Sequence, residues 1–150
     1  MVADLKRILL AEDNANDLEL TLTALQQNRL ANEVVTVRDG AEALDYLYSR
    51  GAFTGRPAIP PLLLLLDLKM PKVDGIEVLR QVKADPQLRS IPVVMLTSSR
   101  EETDLIRSYD LGVNAYVVKP VDFSEFMSAV RQLGAFWAVI NEVPRPPARA

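Results

Sequence analysis

Short runs of apolar residues recur along the chain, each followed by a polar or turn-forming residue. The five runs are Ile8–Ala11, Val34–Val37, Leu62–Leu66, Val93–Leu96 and Tyr116–Val118. Most are unbroken by polar residues, whereas a strand with one solvated face alternates between polar and apolar positions. The pattern therefore predicts strands buried on both faces, as in a parallel sheet that lies between two layers of helices.

The segments between these runs carry helix-start signals. Asn14 is placed to cap a helix whose leucines, at positions 18, 22 and 25, fall on one face. Three further helices begin with a polar residue and a glutamate three positions later. These pairs are Asp39 with Glu42, Ser99 with Glu102, and Asp122 with Glu125. The alternation of strand and helix predicts an α/β domain of (βα)5 type, a doubly wound three-layer fold with a five-stranded parallel sheet.

The length of 150 residues suits one domain. Residues 1–141 are predicted to form that domain, with an extended last helix. Residues 142–150 are predicted to be a flexible tail, because the final PRPPARA contains three prolines. A loop rich in Gly and Pro, between Arg50 and Pro61, is predicted before the central strand.

Composition narrows the chemistry that the domain can perform. The chain has no Cys and no His, which excludes disulfides, thiol nucleophiles, zinc–thiolate sites and imidazole bases. A net charge of -3 argues against sequence-independent binding to nucleic acid. No segment resembles a signal peptide or a bilayer span, so we expect a cytoplasmic protein without membrane contacts.

Polar side chains follow four of the five predicted strands. Glu12 and Asp13 follow the first strand, Asp67 the third, Thr97 the fourth and Lys119 the fifth. Taken singly, each is most simply a turn former, a helix cap or a solvated charge, although Asp67 ends the most hydrophobic run. Because the carboxyl ends of parallel strands meet at one edge of a sheet, we expect these side chains to converge.

Convergence of three carboxylates requires a cation. Two like charges about 4 Å apart repel by roughly 4 kcal/mol at an effective dielectric constant near 20. Without His or Cys, an all-oxygen site favours a hard ion such as Mg²⁺. The set indicates phosphoryl transfer onto Asp67, with Lys119 and Thr97 holding the phosphoryl oxygens.

The segments ILLAEDN, LLLLLDLKMPKVDGIEVL, VVMLTSS and GVNAYVVKPVD carry a family resemblance. Over roughly residues 5–133 the chain resembles the receiver domain of two-component response regulators. The resemblance implies a flavodoxin-like strand order 2-1-3-4-5, with Asp67 as the phosphoacceptor. It also implies a Thr97 switch hydroxyl, a Tyr116 switch aromatic and a cis Lys119–Pro120 bond.

The same resemblance implies the ligands of the magnesium ion. Asp13 would bind Mg²⁺ beside Asp67, and Glu12 would act largely through water. The main-chain carbonyl of Lys69 would complete the protein ligands. Glu12 stands where many members of the family have Asp, which is a mild departure from the pattern.

The Gly/Pro loop and the FW pair near the C-terminus resemble stand-alone regulators that partner bacterial phytochrome kinases. Such a protein is a phosphoacceptor signalling domain rather than an enzyme, and its partner is a sensor histidine kinase. The last helix has a second apolar face, which predicts a homodimer. The residues of this face are Phe126, Leu133, Phe136 and Ile140. Phe136 and Ile140 are the candidates for the dimer interface.

Two alternative functions remain open at this point. A Mg²⁺-dependent phosphatase with an Asp nucleophile typically has a second Asp two residues later, where this chain has Lys69. A receiver that acts only as an unphosphorylated scaffold is the other alternative, and the complete set of polar residues argues against it.

Overall fold

The computed structural model describes residues 7–26, 33–113 and 115–133. The five strands are β1 (Arg7–Ala11), β2 (Glu33–Val37), β3 (Leu63–Asp67), β4 (Val93–Thr97) and β5 (Tyr116–Val118). The α-helices are α1 (Ala15–Gln26), α2 (Gly40–Tyr48), α3 (Gly75–Ala84), α4 (Arg100–Ser108) and α5 (Phe123–Gln132). Each predicted apolar run therefore forms a strand, shifted by at most one residue at either end.

The five strands form one parallel sheet in the order β2-β1-β3-β4-β5. This arrangement confirms the predicted fold class and strand order. After β1 the chain forms β2 on one side of β1, and it then crosses over to form β3 on the other side. The strand order therefore reverses between β1 and β3, and ligands of open α/β sheets bind at such a reversal, beyond the carboxyl ends of the strands.

The two faces of the sheet bury separate hydrophobic clusters. On one face, Leu64 and Leu66 of β3 pack with buried residues of α2, α3 and α4. On the other face, Leu63 and Leu65 pack with Leu25 of α1 and with α5. Because successive side chains of a strand point to opposite faces, an unbroken apolar run is what a sheet covered on both sides requires.

The predicted helix caps are present in the structure. The backbone N–H of Glu42 donates to Asp39 at 2.8 Å, and the N–H of Glu102 donates to Ser99 at 3.2 Å. The first turn of α1 is capped by Asn14, whose side chain accepts from Asp17 at 2.8 Å. These local bonds satisfy N–H groups that would otherwise lack a partner at each helix start.

The loop before β3 is ordered by its aromatic and basic side chains. It contains a 3-10 helix at Gly51–Phe53. The Arg56 guanidinium lies 3.9 Å from the centre of the Tyr46 ring and donates to the Tyr46 carbonyl at 2.7 Å. The Gly/Pro loop is therefore fastened to the end of α2.

The C-terminal part of the chain departs from one expectation. Phe126 was predicted to belong to a face available to a partner, but its side chain is fully buried in the domain's own core. The interface candidates Phe136 and Ile140, the extension of the last helix and the 142–150 tail lie outside the described residues. None of the helices in the described part of the chain is both long enough and apolar enough to span a membrane.

Candidate functional site

Four of the predicted site residues lie at the carboxyl ends of four adjacent strands, β1, β3, β4 and β5, two of which flank the reversal of strand order. Asp67 is the last residue of β3 and Thr97 the last residue of β4. Glu12 directly follows β1, and Lys119 directly follows β5. Asp67 is paired with Leu96 across the sheet, and the Lys119 amide donates to the Thr97 carbonyl at 2.7 Å. The sheet register thus brings these residues to one edge.

Lys119 is the centre of the charged cluster. Its ammonium Nζ lies 3.0 Å from an Asp67 carboxylate oxygen, 3.2 Å from Glu12 and 3.0 Å from Asp17. An ammonium has three N–H donors, so three carboxylate partners can use all of them. Glu12 and Asp67 are buried, whereas the Asp17 side chain is 30% exposed.

Burial is the main cause of the raised pKa values of the two buried carboxyl groups. Burial and the neighbouring Asp67 charge raise the pKa of Glu12 to about 7, although Lys119 opposes the shift. Burial also raises the pKa of Asp67, again against the pull of Lys119. Burial alone would lower the pKa of Lys119, but its bonds to Asp17 and Asp67 and the Asp67 and Glu12 charges raise it. By count, one ammonium faces three carboxylates in this cluster.

Asp13 lies on the open side of this cluster. It lines a cleft of about 600 Å³ together with Lys69, Met70 and Asp74. Within residues 7–26, 33–113 and 115–133, no three acidic side chains are placed to hold a metal ion by themselves. Mg²⁺ usually takes only one or two protein carboxylates and keeps several waters. The all-oxygen donors and the uncompensated negative charge therefore fit that ion.

The hydroxyl of Thr97 is hydrogen-bonded to a residue of α4. Thr97 is fully buried, and its Oγ1 lies 3.0 Å from the Oγ1 of Thr103 in α4. The Thr103 hydroxyl also donates to the Ser99 carbonyl at 3.4 Å. The end of β4 is thereby hydrogen-bonded to the first turn of α4.

Tyr116 is half-buried at the start of β5. Its hydroxyl donates to the Val113 carbonyl at 2.9 Å, and the Arg107 guanidinium lies 4.8 Å from the centre of its ring. The ring also packs against the core cluster on the α2, α3 and α4 face. Burial raises the pKa of the Tyr116 hydroxyl despite the Arg107 charge.

The loop between β3 and α3 approaches the backbone of Asp67 closely. The Gly75 amide donates to the Leu68 carbonyl at 2.8 Å, and Asp74 caps α3 by accepting from Glu77. A Cβ at position 75 would lie 2.3 Å from the Asp67 carbonyl oxygen. The glycine therefore does more than start a helix, because it leaves room for the turn that holds Asp67. The Lys119–Pro120 bond is cis, as the family resemblance implied.

Two residues that contact the site were not identified from the sequence. Asp17 is in the first turn of α1, which begins soon after Glu12, and that proximity was an available signal. Thr103 shares the buried face of α4 with Ile106, and a hydroxyl on that face was a second signal. The Lys69 side chain pairs with Glu102 at 3.1 Å and thus also connects the β3–α3 loop to α4.

Comparisons with known proteins agree with this geometry. The family model for the response regulator receiver domain matches residues 8–131. The response regulator Rcp1 of Synechocystis is 40% identical over 139 residues, 93% of each chain. The solved structure of Rcp1 in its Mn²⁺-bound form has a TM-score of 0.70 at 39% identity and covers 94% of this chain and 99% of that one.

Two further solved structures are from phytochrome pathways. The bacteriophytochrome response regulator AtBRR is 64% identical with a TM-score of 0.87, over 91% of this chain and 98% of that one. The phosphorylated cyanobacterial phytochrome response regulator RcpA is 45% identical with a TM-score of 0.69, over 88% of this chain and 93% of that one.

Proposed function

This chain belongs to the response regulator receiver domain family, a family of signalling domains, and we propose that Asp67 accepts a phosphoryl group from a sensor histidine kinase. The observation that carries the proposal is the Lys119 ammonium 3.0 Å from Asp67 at the reversal of strand order. A carboxylate beside a fixed cation can react with phosphorus and then have its product held in place.

The transfer forms one bond and breaks another. An oxygen of the Asp67 carboxylate attacks the phosphorus of a phosphohistidine on the kinase. The P–N bond breaks as the P–O bond forms, and the imidazole nitrogen leaves with the electron pair. Lys119 then binds a phosphoryl oxygen, which requires it to give up one of its carboxylate partners.

Mg²⁺ is the cofactor that the donor set favours. Asp13, Asp67 and the Lys69 main-chain carbonyl would hold it, and Glu12 would contribute largely through water. A bound Mg²⁺ supplies positive charge that offsets the incoming phosphoryl oxygens. The geometry supports this assignment, because three carboxylates (Glu12, Asp17 and Asp67) surround a single ammonium.

The upstream partner in this proposal is the histidine kinase of a bacterial phytochrome, in the cytoplasm. The support is the similarity to AtBRR and RcpA, which are themselves phytochrome response regulators. The test is transfer from a phosphorylated phytochrome kinase to the chain, followed over time by loss of label from the kinase. Transfer to wild type but not to Asp67→Asn is expected, and equal transfer to both would refute the assignment.

The phosphorylated domain would switch the binding of a partner or pass the phosphoryl group on, with Thr97 and Tyr116 as the residues that change contacts.

A homodimer through the last helix, with Phe136 and Ile140 in its interface, is part of this proposal. Val118 on β5, the strand that precedes α5, is an exposed apolar residue. Sedimentation of wild type and Phe136→Asp tests the dimer, and a monomeric wild type, with or without phosphorylation, would refute it.

A phosphatase reaction is less well supported by the site. A phosphatase that uses an Asp nucleophile needs a general acid near its leaving group. The residue two positions after Asp67 is Lys69, whose side chain is paired with Glu102 of α4 at 3.1 Å. Lys69 is therefore engaged elsewhere and is not an acid of the kind that such enzymes use.

A further inference from the structure

The hydroxyl of Thr97 has a single proton and is hydrogen-bonded to the hydroxyl of Thr103 on α4. Thr97 is fully buried, and Thr103 is only 8% exposed. Their Oγ1 atoms are 3.0 Å apart, so one of the two hydroxyls donates to the other. Because Thr97 is fully buried, its hydroxyl cannot exchange this bond for a bond to solvent without a local movement.

Either hydroxyl could donate at this distance, and a neighbouring carbonyl favours one of the two directions. The Thr103 hydroxyl donates to the main-chain oxygen of Ser99 at 3.4 Å. A hydroxyl has one proton, so when Thr103 donates to Ser99 the donor between the two threonines is Thr97. The protons then run in one direction, from Thr97 to Thr103 to the start of α4.

A phosphoryl group on Asp67 would compete for that proton. At neutral pH the phosphoryl oxygens are ionised and can only accept hydrogen bonds. Thr97 must therefore act as the donor when it binds one of them. Thr97 cannot donate fully to Thr103 and to a phosphoryl oxygen at once. The two contacts are therefore alternatives, and each belongs to a different state of the site.

We propose that Thr103 is a positioning residue that holds the Thr97 hydroxyl in the unphosphorylated protein and releases it to the phosphoryl group. The proposal rests on the proposed phosphorylation of Asp67 and adds a residue on α4 to the switch. A contact present in only one state shifts the equilibrium between the two states. Removing the Thr103 hydroxyl should therefore favour the phosphorylated-like state.

The test is the affinity for beryllofluoride, a mimic of the phosphoryl group on a carboxylate, at fixed Mg²⁺. Thr103→Val keeps the shape of the side chain and leaves the Thr97 donor without its partner in the free state alone. Binding should become about threefold to tenfold tighter, because the free state loses one buried hydrogen bond that the bound state does not need. A merely structural role would weaken both states alike and leave the dissociation constant unchanged.

Three variants serve as controls. Thr103→Ser keeps the hydroxyl and should restore wild-type affinity. In a Thr97→Val background, adding Thr103→Val should produce no further change. Thr103→Ala removes the hydroxyl in a smaller side chain and should tighten binding in the same direction, which keeps the test available if Thr103→Val does not fold.

The result separates this inference from the proposed function. If wild type takes no label from acetyl phosphate, the proposed phosphorylation of Asp67 fails. If wild type is labelled but the Thr103→Val and Thr103→Ala variants bind beryllofluoride as wild type does or more weakly, the positioning role is wrong. Tighter binding that persists in the Thr97→Val background would also overturn it, because Thr103 would then act through another group.

Discussion

The ammonium of Lys119 lies 3.0 Å from Asp67 and at the same distance from Asp17, so the proposed phosphoacceptor shares its cation with a residue at the edge of the site. A phosphoryl oxygen on Asp67 needs one of the Lys119 N–H groups. Asp17 is the most exposed of the three carboxylate partners, and its side chain regains water most easily when the bond is broken. We therefore expect Asp17 to compete with a phosphoryl group for Lys119.

Asp17→Asn should strengthen the binding of beryllofluoride at fixed Mg²⁺ by about twofold to fivefold. The change removes a competing charge at a partly exposed position. The binding free energy should therefore improve by roughly 0.5–1 kcal/mol. Calorimetric titration measures it, and Glu19→Gln on the exposed side of α1 is the matched control. Weaker binding in Asp17→Asn would show that Asp17 supports the active position of Lys119 instead.

The metal-free protein should lose stability as the pH rises from about 4.5 to about 7. The pKa of Glu12 is raised to about 7 in the folded chain, from a model-peptide value of 4.5. The folded state therefore holds a proton that the unfolded state has released in this range, and the free energy of unfolding falls with rising pH. Urea unfolding measured across this range in the presence of a chelator checks the slope.

Glu12→Gln is the variant that identifies the source of that slope. It keeps the size of the side chain and removes its titration, so it should flatten much of the pH dependence. Glu101→Gln, at an exposed position of α4, should leave the slope as it is in wild type. An unchanged slope in Glu12→Gln would assign the pH dependence to other groups.

Mg²⁺ should stabilise the folded protein through Asp13. A ligand that binds only the native state adds about 2.7 kcal/mol to the free energy of unfolding at one hundred times its dissociation constant. Asp13→Ala should abolish this gain, and Asp104→Ala on the exposed face of α4 should retain it. A wild-type melting temperature that does not respond to Mg²⁺ would contradict the proposed metal site.

Gly75→Ala should disturb both stability and phosphorylation. The added methyl group would lie 2.3 Å from the Asp67 carbonyl oxygen and 2.9 Å from the Leu68 Cα, so the backbone must shift. Overpacking of this kind costs about 1–3 kcal/mol. Resistance to urea and acetyl phosphate labelling should both decline. Gly55→Ala has open space around it but a φ of +93°, so it should lower stability through backbone strain and leave labelling intact. Normal labelling of Gly75→Ala would show that the turn adjusts without moving Asp67.

The parts of the fold that the sequence predicted are those that local physics determines. The Leu62–Leu66 run predicted a strand buried on both faces because all of its residues are apolar. In the structure, β3 is the central strand of the sheet. The cap formed by Ser99 and Glu102 was predictable because both partners lie within one helical turn. The shared direction of the strands then predicted that Asp67 and Lys119 converge, and the family resemblance supplied the strand order.

The contacts that the sequence did not predict depend on how the helices pack on the sheet. The bond between Thr97 and Thr103 depends on the position of α4 against β4, which no local signal fixes. Phe126 looked available to a partner because spacing along a helix does not show how wide a stripe the core covers. Its complete burial shows that the core covers a wider stripe of α5 than the spacing suggested.

The intact mass of the protein after incubation with acetyl phosphate and Mg²⁺ tests the central claim most directly. One labile phosphoryl adduct on wild type, lost on treatment with hydroxylamine and absent from Asp67→Asn, is the result that the account predicts. The variant keeps the shape of the side chain but not its nucleophile, so its fold should be retained and its circular dichroism spectrum unchanged. Equal labelling of wild type and Asp67→Asn, or steady release of phosphate from many monoesters without an adduct, would contradict the assignment of Asp67 as the phosphoacceptor.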